Sequence, residues 1–64
     1  MTRKDYKMLA WNLNELIEEM RTNNADSRAI LAFDRMVSRL CSDLKGDNSN
    51  FNSARFRDAV YGVK

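Results

Sequence analysis

The chain has no histidine and no proline, a single cysteine and only two glycines among its 64 residues. Without histidine, the commonest general base and metal ligand is missing. One cysteine, Cys41, cannot form an internal disulfide. It follows Leu40 on the apolar side of a helical stripe and reads as a small buried hydrophobe in a reducing compartment. No apolar run is long enough for a signal peptide or a membrane span, so the expected setting is soluble and cytoplasmic. No glycine-rich phosphate loop or nucleophile motif occurs. The acidic group Glu15, Glu18 and Glu19 falls on a solvated helix face with no cleft to shift its titration. These absences point away from an enzyme, from a cofactor and from a small-molecule substrate.

A formal charge of +2, with 31% charged residues, is too mild to imply nucleic acid by itself. A domain of this length buries roughly 60% of the surface its unfolded chain exposes, which leaves it marginal alone. With disulfides excluded and metal disfavoured, self-association or another protein partner is the expected source of further stability.

What the chain does have is two apolar stripes at helical spacing. Tyr6, Leu9, Leu13, Leu16, Ile17 and Met20 form the first, and Ile30, Phe33, Val37, Leu40 and Leu44 the second. Thr2 and Asp5 have capping-box spacing, so the first helix is expected to run from there to about Arg21. Asn24 or Asp26 caps the second, which is expected to end near Lys45 with Gly46 at the C′ position. Asn52 caps a short third helix ending at Gly62, and Phe51 and Phe56 have the spacing of a hydrophobic staple across that cap. The short polar turn Thr22–Asp26 makes the long helices antiparallel neighbours. The expected fold is therefore all-α: an antiparallel hairpin closed by a short C-terminal helix, one domain over residues 1–64, and homodimeric. In that register Glu18 or Glu19 approaches Arg28, and Lys7 or Arg3 approaches Asp43; an antiparallel homodimer would suit the same charges.

Three surfaces are candidates for function. Trp11 falls away from the apolar stripe beside Met8, among Lys7, Glu15 and Glu18. It reads either as an interface anchor with a polar rim or as a residue covered by the third helix or Phe51. Leu31 lies off the second stripe between Arg28 and Arg35, and bears on function only if it joins Trp11 in one patch. Arg28, Arg35 and Arg39 share a helix face, which Arg55 and Arg57 of the third helix could extend. Such a row grips an acidic protein or phosphates, or is simply solvated. The long helices and Asn-rich turn fit a helix-turn-helix poorly.

The opening Met1-Thr2-Arg3-Lys4-Asp5-Tyr6 and the later Asp47-Asn48, Phe51-Asn52, Arg55-Phe56 and Ala59 together carry a resemblance. They resemble small uncharacterised proteins of tailed phages and prophages that begin M-T-R-K-D-Y and end in DN-x-x-F-[DN]-x-x-R-F-x-x-A. Val60-Tyr61-Gly62 stands where such proteins often carry Cys-Gly. The resemblance covers about a third of the chain and brings no functional residues with it. It implies a viral origin, a bacterial host cytoplasm and a small accessory protein that binds a host or viral protein. A nucleic-acid-associated protein and a structural virion component are the alternatives. Physically, Tyr6, Phe51 and Phe56 are expected to meet at the open end of the hairpin as a structural closure, leaving Arg55 free to pair with Asp47 or Asp5.

Overall fold

The computed structural model describes residues 2–62 and contains three helices: α1 (Arg3–Thr22), α2 (Ser27–Asp47) and α3 (Ser53–Tyr61). Each start is set by a short polar side chain that satisfies an otherwise free backbone N–H. Thr2 and Asp5 form a reciprocal capping box: the Thr2 N–H donates to Asp5 Oδ2 at 3.0 Å and the Asp5 N–H donates to Thr2 Oγ1 at 3.3 Å. The hydrogen bond from the Thr2 backbone, then that from its side chain, hold the Asp5 carboxyl below its ordinary range. Asp26 Oδ1 accepts from the Ala29 N–H at 2.9 Å, and Asn52 Oδ1 accepts from the Arg55 N–H at 3.0 Å. Asn24 holds the turn rather than the cap, with φ of 56°.

The second helix runs past its expected end. Gly46 lies inside α2, and Asn48 closes the helix in an extended conformation with its N–H on the Leu44 carbonyl. The additional residues are held because Asn48 Nδ2 reaches the Tyr6 hydroxyl at 3.4 Å, while Lys45 Nζ donates to the Ser49 and Phe51 carbonyls at 2.7 and 3.1 Å. Gly62 does end α3 in the left-handed region, with φ of 72°.

The core comprises Ala10, Leu13 and Ile17 of α1, Phe33, Val37, Cys41 and Leu44 of α2, and Phe51, Phe56 and Val60 at the C-terminal end. Ile17, Val37 and Val60, one from each helix, are fully buried. The aromatic closure forms as a chain of rings: Tyr6 and Phe51 lie 5.0 Å apart by centroid, and Phe51 and Phe56 5.4 Å. The backbone of α3 lies closer to α1 than that of α2 does. Ala10 is the smallest residue of the α1 core face, and Asn14 beside it donates from Nδ2 to the Val60 carbonyl at 2.9 Å, drawing α3 in.

Leu16 departs from expectation. It is 43% exposed, because it lies at the far edge of the α1 stripe, turned away from α3. The interhelical ion pairs of the expected register do not form either. The ion pairs among the described residues are Arg21–Glu18 within α1 and Arg57–Asp34 between α3 and α2, both at 3.2 Å. Apolar packing and the α3 contacts hold the hairpin in register without the exposed charges.

The two glycines give substitutions of opposite sign. A Cβ at Gly46 meets nothing within 4 Å, so Gly46→Ala is expected to stabilise the fold by up to about 1 kcal/mol through helix propensity. Gly62→Ala is expected to destabilise it by about 1 kcal/mol, because of its positive φ. Urea unfolding of both variants checks this. A loss of stability in Gly46→Ala would contradict the helical placement of that residue.

Candidate protein-binding surface

Trp11 is 64% exposed and Met8 is 56% exposed. They are one turn apart on α1, and the fold leaves both outside the core. The covered reading of Trp11 does not hold: Phe51 packs on Tyr6 and Phe56 instead, and Asn14 lies on the face of α1 that receives α3. The Trp11 ring therefore offers a large apolar area on a rigid helix, bordered by Lys7, Glu15 and Glu18, all exposed. Met8 also lines a shallow hollow with Asp5, Leu9 and Asn12.

Leu31 is 51% exposed, but it does not join Trp11. On helical spacing, Trp11 lies beyond Asn14 on α1, and Leu31 lies beyond Asp34 on α2. Asn14 on α1 and Asp34 with Ser38 on α2 grip α3, so α3 runs between Trp11 and Leu31.

The five candidate arginines divide into three groups. Arg28, Arg35 and Arg39 are exposed on one face of α2, as their spacing requires, and form no ion pair among the described residues. Arg57 does not extend that row. Its Nη1 donates to Ser38 Oγ at 2.9 Å and its Nη2 to Asp34 Oδ1 at 3.2 Å, which fixes α3 on α2. Arg55 lines a separate hollow with Arg3 and Lys7, over a floor that includes Tyr6, Phe51 and Phe56. It forms no pair with Asp5 or Asp47 among the described residues. The first turns of α1 and the segment that leads into and along α3 thus face each other across this hollow.

Sequence reasoning missed the latch at the other end of α3. The Tyr61 hydroxyl donates to Asp34 Oδ1 at 2.6 Å, and the same oxygen accepts from Arg57. Burial first, then the bond to Asp34 and its negative charge, push the Tyr61 phenol up to about 12. A phenol so placed stays protonated near neutrality and acts as a donor, which makes this trio a mechanical clasp. Its signal in the sequence is faint, since Asp34 and Tyr61 are 27 positions apart.

Among the described residues, no group of three or more His, Cys, Asp or Glu side chains is placed to hold a metal ion, and no helix is long and apolar enough to cross a membrane. Compared with models of protein families, with curated proteins and with solved structures, the chain matches none.

The Tyr61 clasp predicts a pH dependence with a definite sign. The folded phenol holds its proton more tightly than an unfolded one, whose pKa is about 10. The stability this confers is complete below pH of about 10 and lost as pH rises through about 12. In urea unfolding at stepped pH, the difference between the parent chain and Tyr61→Phe should shrink across that interval. A difference that stays constant to the alkaline end would contradict the clasp.

Proposed function

We propose that this chain is a non-enzymatic interaction protein, a small homodimeric accessory protein of the phage type that its two ends resemble, acting on a host or viral protein in a bacterial cytoplasm. The observation that carries the reading is the exposure of Trp11, at 64%, on a helix whose buried face is complete without it. Tryptophan on a rigid scaffold loses little side-chain entropy on binding and contributes a large contact area, which is why it dominates hot spots. Met8 beside it adds a flexible apolar contact, and the surrounding charges supply a polar rim.

A second reading is favoured by the unpaired row Arg28, Arg35 and Arg39. A face of that kind binds an anionic polymer, and nucleic acid is one such partner. With Arg57 engaged by Asp34 and Arg55 on another hollow, the face is narrower than five arginines would make it. Any affinity for DNA or RNA through this row is expected to fall steeply with salt, and a mobility shift at low and high salt reads it.

The leading reading is tested by Trp11→Ala. The variant should keep the helical circular dichroism and the unfolding midpoint of the parent, because Trp11 contributes nothing to the core. It should fail to capture the protein that the immobilised parent chain retains from host or infected-cell lysate. Unfolding of the variant, or undiminished capture, would defeat the assignment of Trp11 as the anchor.

A further inference from the structure

The face of the α1–α2 hairpin opposite α3 has no cover. Asn14 on α1, with Asp34 and Ser38 on α2, marks the side that receives α3. Helical spacing places Leu9, Leu16 and Met20 on the opposite edge of α1, and Met36 and Leu40 on the opposite edge of α2. Leu16 and Met36 are 43% and 46% exposed, and Leu9, Met20 and Leu40 are only partly buried. Ala29 and Ala32 flank Met36 on the same edge and are exposed, leaving room for a helix to approach closely.

We propose that a second copy of this chain covers this face, and that α1 of each copy packs antiparallel on α2 of the other in a four-helix seam. The inference rests on the homodimer reading above and names its surface and symmetry. Charge selects the occupant. The outer rim of the face carries Glu15 and Glu19 on α1 and Arg28, Arg35 and Arg39 on α2, and these charges find no ion-pair partner within one chain among the described residues.

A two-fold axis parallel to the helices sets the acidic rim of α1 against the basic rim of α2 from the second copy, twice by symmetry. The other face-to-face arrangement, with its axis across the helices, stacks α2 on α2 and opposes the arginine row with itself, which like-charge repulsion disfavours. Glu19 and Arg28, which were expected to pair within one hairpin, are thus free to pair between two. Trp11 itself lies on the outer edge of α1, so the dimer leaves the Trp11 ring of each copy displayed, with Met8 and Glu15 at the margin of the seam. The arginine row is then engaged by protein rather than by phosphate.

Light scattering across a concentration series, with circular dichroism on the same samples, tests the seam. The parent chain should reach twice its monomer mass. Leu16→Glu and, independently, Met36→Glu should return it to the monomer with unchanged helix content, whereas Trp11→Ala should remain dimeric. Reversing the α1 rim alone (Glu15→Arg with Glu19→Arg), or the α2 rim alone (Arg28→Glu with Arg35→Glu), should weaken the dimer. All four reversals in one chain should restore it, which the axis across the helices does not allow. A parent that stays monomeric at every concentration, a dimer indifferent to both apolar substitutions, or no restoration by the fourfold reversal overturns the proposal. Loss of the dimer in Trp11→Ala would move the seam to the Trp11 surface, overturning this inference while leaving the interaction reading intact.

Discussion

Everything in this structure depends on how α3 closes the hairpin. Two amphipathic helices side by side bury only one stripe each, and the groove between them remains open on both sides. Phe51, Phe56 and Val60 fill one of those sides and are buried with Ile17 and Val37. The burial of apolar area is the main favourable term in folding, and here the last three core positions of the chain complete it. Polar contacts then fix where the helix sits. Asn14 takes the Val60 carbonyl from the α1 side, while Asp34 takes Tyr61 and Arg57 from the α2 side. Lys45 and Asn48 tie down the loop that leads into α3.

That asymmetry divides the surface. The side that carries α3 is finished. The opposite side of the hairpin retains Leu16 and Met36 in solvent, and Trp11 stands clear of both. A chain this short does not have enough residues to cover every apolar stripe it makes, so what it leaves open is informative. The unpaired acidic and basic rims beside the open face give that exposure a direction, because they complement each other only when α1 meets α2 of a second copy. The two proposed surfaces, one for self-association and one around Trp11, rest on the same shortage of cover.

Much of the fold was legible in the sequence because it is written in local chemistry. Thr2, Asp26 and Asn52 are short oxygen-bearing side chains at the points where N–H groups need acceptors, and Gly62 occupies a left-handed position. Two stripes at helical period announce the hairpin, and the Phe51–Phe56 spacing announces the closure. Where local signals compete with tertiary ones, the reading fails. Gly46 looks like a helix stop, but α2 runs on to Asp47 because Asn48 is held by Tyr6 and its own loop. Leu16 fits the helical period, but period alone does not say which flank the third helix will choose. The expected Glu–Arg and Lys–Asp pairs were weak exposed interactions, and packing outranked them. Nothing near Asp34 in the sequence reveals that it anchors the far end of α3. For Trp11 the sequence left two readings open, and the choice came from Phe51 and Asn14 being occupied elsewhere.

The most direct test of this account is the solvent environment of Trp11, the sole tryptophan of the chain. Its fluorescence can be followed with iodide and acrylamide as quenchers in the folded protein and in urea. The account predicts red-shifted emission in the folded state and quenching nearly as efficient as in the unfolded chain, because α3 closes the core without this ring. Blue-shifted emission, with strong protection that vanishes on unfolding, would place Trp11 inside the fold and contradict the central claim.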